Sequence, residues 1–229
     1  MSRIHRYLIV VAGGKGLRMG ASVPKQFLLL TGRPVIFLTI SRFIDYDPGI
    51  ELIIVLPEGN TTMWKELCMQ YGFSHDHNII IGGEERYNSV KNGLSLIRQE
   101  SIVAVHDAVR PLVSIGTIDK CFKVAAEKGN AVPFVKPPES VREIINDNRN
   151  RPLKRERIAL IQTPQVFRSD ILLAAYARAY NPTFTDDASV VEAAGHKINL
   201  VEGNLENIKI TTAEDMAIAD AILRMNYEL

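Results

Sequence analysis

The chain has 229 residues, a length that fits one α/β domain better than two. Its 46% hydrophobic residues suffice for a sizeable core, and its 23% charged residues are ordinary for a globular protein. The formal net charge is only +1, whereas proteins that follow a nucleic acid backbone usually carry a basic excess. We therefore expect no nucleic acid partner, while a local basic site for a small anion stays compatible with this charge.

Cysteine usage and hydropathy indicate a reducing, aqueous compartment. Cys68 and Cys121 are far apart, and neither has a partner at metal-ligand spacing, which predicts reduced structural thiols. The apolar run near the N-terminus spans only about six residues, too few for a signal peptide or a membrane span. We expect a cytoplasmic protein without a membrane partner.

Short β-branched segments alternate with longer amphipathic segments, and we treat residues 1–229 as a single domain. The predicted strands are residues 7–12, 52–56, 79–81, 103–106, 131–135, 159–162 and 198–201. The predicted helices are residues 34–43, 61–71, 86–97, 117–127, 169–180, 185–194 and 212–225. The last helix aligns four apolar side chains on one stripe: Met216, Ala219, Ile222 and Leu223. The pattern predicts an α/β fold with a doubly wound, mostly parallel, Rossmann-like sheet and helices on both faces.

Residues 136–157 do not fit this alternation. They contain Pro137, Pro138 and Pro152 together with many charges, and residues 140–145 alternate somewhat in polarity. Compact domains rarely contain a structureless loop of about 20 residues. We therefore predict a protruding two-stranded arm, which would bury little surface alone and would pack on a partner subunit. The alternative is a mobile surface loop.

Ligands of doubly wound sheets bind beyond the carboxyl ends of the strands, which selects the loops after Ala12, Ile81 and His106. The first of these loops, AGGKGLRMGASVPKQF at residues 12–27, combines glycines with cations. The glycines are Gly13, Gly14, Gly16 and Gly20, and the cations are Lys15, Arg18 and Lys25. Without Cβ atoms the backbone can curl and direct several N–H groups at one point, as phosphate binding requires.

Two better-known phosphate-binding loops do not match this segment. A Walker loop needs Gly-x-x-x-x-Gly-Lys-Ser/Thr, which is absent. A dinucleotide fingerprint needs Gly-x-Gly-x-x-Gly, but counting from Gly14 the third glycine comes one residue late, at Gly20. These mismatches disfavour a nucleotide-linked dehydrogenase and leave a flexible surface loop as the alternative to phosphate binding.

The same loop resembles the signature of sugar-phosphate nucleotidyltransferases, and PKQF at residues 24–27 narrows the resemblance to the cytidylyltransferases. Further matching motifs follow in order over nearly the whole chain. They are GGEERYNSV (82–90), VHDAVRP (105–111), QTPQVF (162–167), FTDDASVVE (184–192) and NIKITTAEDM (207–216). Together they are similar to the 2-C-methyl-D-erythritol 4-phosphate cytidylyltransferases of non-mevalonate isoprenoid biosynthesis. Ribitol-5-phosphate cytidylyltransferases share several motifs but tend to differ at residues 185–189, and they remain the alternative.

The resemblance implies that CMP passes from CTP to an acceptor phosphate and pyrophosphate leaves. Both reactants are anions, so a catalyst must neutralise charge and hold an in-line geometry rather than move protons. By resemblance, Arg18 and Lys25 stabilise the reacting phosphorus and the leaving pyrophosphate, and Lys209 reaches the α-phosphate or the acceptor phosphate. Backbone N–H groups of Gly14 and Gly16 lie near the triphosphate.

The resemblance also implies which residues bind CTP. Cytosine is expected to be recognised through backbone groups, with small residues letting the base approach. The residues implied are Ala12, Gly13, Gly82, Glu84 and Ser89. The family usually has Asp where Glu84 stands, and Glu84 and Glu85 also suit a helix start. Asp107 binds the ribose or a metal-linked water, whereas His106 is expected to make a structural hydrogen bond.

Acceptor binding is expected at Arg110, at Lys209 and, from a partner subunit, at Ser140 of the arm. The family often carries an arginine after the TPQ-x-F motif; strict register places Ser169 there, with Arg168 one position early. The resemblance thus implies a homodimer that uses the arm.

One divalent ion normally bridges the phosphates of CTP, so we expect Mg²⁺, held mostly by phosphates and water. The only protein ligand we consider is Asp107, acting through water. A non-catalytic nucleotide-binding regulatory module is the alternative of another class, although Arg18, Lys25 and Lys209, all present here, argue against it.

Overall fold

The computed structural model describes residues 4–12 and 23–227. The strands are β1 (His5–Val11), β2 (Leu29–Leu30), β3 (Arg33–Pro34), β4 (Glu51–Leu56), β5 (His77–Ile81), β6 (Ser101–Asp107), β7 (Asn130–Val135), β8 (Val141–Asn146), β9 (Arg149–Leu153), β10 (Leu160–Ile161), β11 (Gln165–Arg168) and β12 (Leu200–Glu202). The helices are α1 (Val35–Tyr46), α2 (Thr61–Tyr71), α3 (Arg86–Leu94), α4 (Ile115–Lys128), α5 (Ser169–Tyr176), α6 (Asp187–Ala193) and α7 (Ala213–Tyr227). All seven predicted strands and all seven predicted helices are confirmed; α2 has the predicted bounds, and the others differ at one or both ends.

The central sheet has eight strands in the order β10-β7-β11-β6-β1-β4-β5, with β12 also pairing with β7. Phe134 of β7 pairs with Ile161 of β10 and with Glu202 of β12, so β10 and β12 flank β7 on opposite sides. Strands β1, β4, β5 and β6 are parallel, whereas β10 and β11 run antiparallel to β7. The expected doubly wound, mostly parallel sheet is therefore confirmed.

Strand β11 was not predicted, although it lies between β6 and β7. It has four residues, of which only Val166 and Phe167 are apolar, and α5 begins directly after it at Ser169. So short a run gives too little periodicity to be distinguished from the start of a helix. Its side chains Gln165, Val166 and Phe167 are buried. Strand β11 thus fills the position in the sheet next to β6, the strand that carries Asp107.

Successive side chains of the central strands alternate between two cores, as the strand period of two requires. On β1, Leu8 and Val10 face the side covered by α1, α2 and α4. Tyr7 and Ile9 face the side covered by α3, α5 and α6. Helix α7 lies outside both cores and packs its predicted apolar stripe against Leu30 and other residues beside α1.

Strands β8 and β9 form a separate two-stranded antiparallel sheet, as expected for the arm. Most of their side chains are exposed, including Ile144, which is 80% exposed. The hairpin thus leaves apolar surface uncovered in a single subunit.

Within the two described ranges, no helix combines the length and the apolar character needed to cross a membrane.

Candidate active site

Strands β1 and β6 end at the same level, since Val11 pairs with Asp107. The next residues keep this arrangement, because Ala108 N–H donates to the Val11 carbonyl at 3.1 Å and Ala12 N–H donates to the Val55 carbonyl at 2.9 Å. A cleft of about 370 Å³ opens beyond these ends. Its lining includes Ala12, Lys25, Glu84, Ser89, Asp107 and Lys209. The structure thus brings together expected nucleotide and phosphate ligands from four separate segments.

A second cleft of about 240 Å³ lies beside the first. Its lining includes Arg86, Asp107, Arg110, Thr163, Thr185 and Lys209. Three of these side chains, Arg86, Asp107 and Lys209, also line the first cleft. They form a shared wall, so two ligands could meet across it.

The Asp107 carboxylate is the acidic centre of this wall. Lys209 Nζ lies 2.9 Å from Oδ2, Arg110 Nε lies 3.4 Å from Oδ2, and Arg86 Nε lies 3.7 Å from Oδ1. Burial alone would raise the pKa of the Asp107 carboxyl, but these cations hold that pKa well below its usual range. Asp107 is therefore an anion at physiological pH, and the wall keeps an excess of positive charge.

Sequence reasoning assigned no role to Arg86, the first residue of α3. Its guanidinium donates from Nη1 to Asp187 Oδ1 at 3.0 Å and from Nη2 to Oδ2 at 2.7 Å. Burial would lower the pKa of Arg86, but Asp187 and Asp107 raise it, so the side chain stays charged. A charged residue at a predicted helix start is expected to be exposed to solvent. The sequence alone therefore gives no sign that Arg86 packs beside Asp187.

His106 is buried and held neutral. Burial lowers its pKa to about 3. Its Nε2 lies 3.2 Å from the Arg110 carbonyl, which only accepts, so Nε2 carries the hydrogen and Nδ1 accepts from the Thr163 hydroxyl at 3.0 Å. Asp107 N–H in turn donates to Thr163 Oγ1 at 3.1 Å. These bonds make His106 a support for the end of β6.

Lys209 sits on a segment that is fixed on both sides. Arg110 Nη1 donates to the Asn207 carbonyl at 2.7 Å, and Ile210 N–H donates to the Val109 carbonyl at 2.9 Å. The buried Asn207 amide also donates to the Thr163 carbonyl at 2.8 Å. The backbone that carries Lys209 is therefore tied to the ends of β6 and β10.

The turn before α3 requires small residues. A Cβ atom on Gly82 would lie 2.8 Å from Ser89 Oγ, and one on Gly83 would overlap Cβ of Asn88. Ser89 Oγ accepts from Gly83 N–H at 3.1 Å and donates to the Glu85 carbonyl at 3.1 Å. Glu85 caps α3, as its helix-start character suggested, while Glu84 lines the first cleft.

Lys25 begins a short 3₁₀ helix, Lys25–Phe27. The next residue, Gln26, is buried and its amide donates to the Ala12 carbonyl at 3.0 Å, which fixes Lys25 at the cleft. The expected loop residues Gly13, Gly14, Gly16 and Arg18 lie outside the described residues.

Arg168 and Ser169 line neither cleft in one subunit, so the structure gives no support to the expectation that one of them contacts the acceptor. Arg168 pairs with Ile102, which lies five positions before Asp107 on β6, a distance of about 16 Å at the usual strand rise. Ser169 is buried and accepts from Ser101 N–H at 3.0 Å, whereas Arg168 is exposed and pairs with Asp170. Because β11 is antiparallel, its end points to the opposite edge of the sheet.

Ser140 precedes β8 in the exposed hairpin and is not part of the lining of either cleft. A contact from Ser140 to the acceptor would therefore have to come from another subunit.

A doubly wound sheet with two adjoining clefts at its carboxyl edge, which share the cations Arg86 and Lys209, fits an α/β enzyme that acts on phosphate-bearing substrates. The sequence pattern of the family described as 2-C-methyl-D-erythritol 4-phosphate cytidylyltransferase (IspD) matches residues 7–225. The chain belongs to this family.

Relatives are similar over nearly their whole length. The chain is 46% identical over 216 residues to the 2-C-methyl-D-erythritol 4-phosphate cytidylyltransferase of Bacteroides thetaiotaomicron, covering 94% of this chain and 98% of the relative. It is 49% identical over 221 residues to the enzyme of the same name from Azobacteroides pseudotrichonymphae, covering 95% and 98%.

Solved structures share the fold. The 2-C-methyl-D-erythritol 4-phosphate cytidylyltransferase of Thermus thermophilus superposes with a TM-score of 0.79 at 31% identity, covering 97% of this chain and 100% of that one. The 4-diphosphocytidyl-2C-methyl-D-erythritol synthase of Anaerococcus prevotii superposes with a TM-score of 0.82 at 27% identity, covering 96% of both chains.

Proposed function

We propose that this chain transfers CMP from CTP to 2-C-methyl-D-erythritol 4-phosphate, releasing pyrophosphate and forming 4-diphosphocytidyl-2-C-methyl-D-erythritol for non-mevalonate isoprenoid biosynthesis. The observation that carries the proposal is the wall of Arg86, Asp107 and Lys209 shared by two clefts. A transferase with two phosphate-bearing substrates needs such adjoining sites, and membership of the family supplies the identity of both.

CTP occupies the larger cleft in this proposal. Backbone groups of Ala12 and Gly82, with Glu84 and Ser89, surround the cytosine, and the tight turn at Gly82 lets the base approach closely. The contact expected from Gly13 stays a prediction, because Gly13 lies outside the described residues. Asp107 accepts a hydrogen bond from a ribose hydroxyl. Lys25 stands beside the triphosphate, and the phosphate contacts expected from Gly14, Gly16 and Arg18 stay predictions, since these residues lie outside the described ranges.

The acceptor occupies the smaller cleft, where Arg110 and Lys209 supply cations for its phosphate. One acceptor phosphate oxygen forms a bond to the α-phosphorus of CTP while the bond from that phosphorus to the bridging oxygen breaks. The electron pair leaves with pyrophosphate, and no proton has to be moved. Neutralising the two reacting anions is then the main catalytic task, which suits Lys25, Arg18 and Lys209.

Mg²⁺ is proposed as an ion that arrives with CTP. Among the described residues, no group of three or more His, Cys, Asp or Glu side chains is placed to hold a metal. Asp107 fits a single contact through water, because its carboxylate stays ionised and carboxylate oxygen suits Mg²⁺. The bound ion would supply charge neutralisation between the phosphates.

A homodimer through residues 136–157 is also proposed. The exposed apolar surface of the hairpin supports a partner there, and a partner's Ser140 would then reach the acceptor cleft. The placement of Arg168 and Ser169 does not support a role for them in the same cleft. The cytoplasmic location expected from the sequence stays a prediction.

Pyrophosphate release from CTP tests the function directly. We expect turnover with 2-C-methyl-D-erythritol 4-phosphate and Mg²⁺, and little with ribitol 5-phosphate in a parallel assay. Turnover of ribitol 5-phosphate alone would overturn the acceptor assignment. Tight CTP binding without pyrophosphate release from either acceptor would instead favour a non-catalytic nucleotide-binding module.

A further inference from the structure

We propose that Asp187 is a positioning residue that holds Arg86 away from Asp107, so that one oxygen of the Asp107 carboxylate stays available to a substrate hydroxyl. This inference rests on the function proposed above.

Asp187 acts only through other side chains. It is 0% exposed and lines neither cleft. Its Oδ1 accepts from Arg86 Nη1 at 3.0 Å and from the Tyr176 hydroxyl at 2.6 Å, and its Oδ2 accepts from Arg86 Nη2 at 2.7 Å. Both carboxylate oxygens are therefore engaged inside the protein, out of reach of a ligand.

The two oxygens of Asp107 are used unequally. Oδ2 pairs with Lys209 at 2.9 Å and with Arg110 at 3.4 Å. Oδ1 faces Arg86 Nε at 3.7 Å, which is an ion-pair distance but too long for a hydrogen bond. Within residues 4–12 and 23–227, no hydrogen bond reaches Oδ1, at the wall where the two clefts meet.

Asp187 and Asp107 compete for one guanidinium. An arginine side chain pairs best with a carboxylate through two parallel hydrogen bonds, and Asp187 receives both. Without the Asp187 charge, Arg86 would retain Asp107 as its anionic neighbour. The guanidinium would then close on Asp107 and occupy Oδ1.

Asp187→Asn tests this arrangement because asparagine keeps the shape and removes the charge. A hydrogen bond to a charged group corresponds to roughly 10- to 100-fold in binding. We expect the KM of the substrate that Asp107 binds to rise by about tenfold or more, with kcat nearly unchanged, the pattern of lost ground-state binding. Asp187→Glu, which keeps the charge, should restore most of the wild-type KM.

Tyr176→Phe is the matched control. It removes the other hydrogen bond to Asp187 Oδ1 but leaves the pair with Arg86 intact. We expect lower thermal stability without a change in KM. Equal KM changes in Tyr176→Phe and Asp187→Asn would show a general structural effect and would overturn the proposal.

A double-mutant cycle with Asp107→Asn locates the effect. If Asp187 acts through Asp107, adding Asp187→Asn to Asp107→Asn should leave KM unchanged. Fully additive changes in KM, or an unchanged KM in Asp187→Asn alone, would contradict the positioning role.

Should Asp187→Asn fail to fold, Arg86→Lys replaces it in the cycle, because lysine cannot make the two-pronged pair. Failure of the wild-type protein to turn over would be a failure of the proposed function instead.

Discussion

The Nζ atom of Lys209 lies 2.9 Å from Oδ2 of Asp107, and the backbone on both sides of Lys209 is tied down. The Asn207 carbonyl accepts from Arg110, and Ile210 N–H donates to the Val109 carbonyl. The Lys209 side chain itself is 43% exposed and projects into both clefts. Because its backbone is fixed and its side chain is partly exposed, Lys209 suits a role in which the ammonium group leaves the Asp107 carboxylate and pairs with a substrate phosphate.

Replacing Lys209 with methionine should therefore impair catalysis far more than folding. Removing one preorganised charge donor typically lowers turnover by roughly 10²–10³-fold. The loss of stability should stay within about 1 kcal/mol, as for other partly exposed ion pairs. Steady-state kinetics and thermal unfolding of Lys209→Met and Lys209→Arg would measure both. A loss of turnover below about fivefold would remove Lys209 from the catalytic residues.

Replacing Lys25, which is expected to stabilise the reacting phosphorus and the leaving pyrophosphate, should also impair catalysis more than folding. Lys25→Ala should reduce turnover by roughly 10²–10³-fold, while the fold, anchored through Gln26 to Ala12, stays intact. Lys65→Ala, at an exposed position of α2, is the control and should leave the rate unchanged. Similar rates for the two variants would show that Lys25 has no part in catalysis.

The sequence was sufficient for most strands of the central sheet, but not for β11 or for the network behind the site. Apolar runs identified the buried parallel strands, and the apolar stripe from Met216 to Leu223 identified the buried face of α7, because burial imposes those periods. Strand β11 has too few apolar residues to impose a period. The pairing of Arg86 with Asp187 depends on how α3 and α6 meet, which no local pattern encodes.

The register of β11 also explains why Arg168 and Ser169 lie away from both clefts in one subunit. The expectation for these two residues came from a family arginine that follows the TPQ-x-F motif, and the start of that motif, Thr163, does contact the end of β6. Strand β11 is antiparallel to β6, so each of its residues lies farther from the clefts than the one before it. Only the start of the QTPQVF motif is therefore near the active site.

The buried His106 predicts how stability depends on pH. Its pKa is about 3 when folded and near 6.5 when unfolded. Below the unfolded pKa, the unfolded chain binds a proton that the folded chain does not. Stability is therefore fully present above about pH 6.5 and falls by about 1.4 kcal/mol per pH unit as the pH drops toward 3.

Denaturant unfolding of His106→Gln at pH 7 and pH 5 isolates this contribution. Glutamine can accept from Thr163 and donate to the Arg110 carbonyl without titrating. The variant should lose less stability than the wild type between these pH values, by roughly 1–2 kcal/mol. Asp107 contributes in the same direction only below its unfolded pKa of about 4, outside this window. Identical losses in both proteins would contradict a neutral, buried His106.

Gly83 should tolerate no side chain. A Cβ atom there would overlap Cβ of Asn88, so Gly83→Ala must shift the turn that places Glu84 and Ser89. We expect weaker CTP binding, measured calorimetrically, together with reduced stability. Gly116→Ala, in α4, is the matched control. A Cβ atom at Gly116 would lie 3.9 Å from Ser114 Oγ, an ordinary van der Waals distance, so it would displace nothing. Alanine there should be neutral or stabilise by about 0.5–1 kcal/mol, and a Gly83→Ala variant that binds CTP normally would contradict the packing argument.

The hairpin predicts a link between assembly and acceptor binding. Ile144 is 80% exposed on β8, so burying it against a second subunit would favour a dimer, and Ile144→Asp would place a charge in that contact. Sedimentation should show a dimer for the wild type and a shift toward monomer for the variant. The KM for the acceptor phosphate should rise with it, because Ser140 of the same hairpin would no longer reach the partner's cleft. Met69→Asp, at a side chain 77% exposed on α2, should change neither quantity. A wild-type monomer with full activity would exclude the hairpin from the active site.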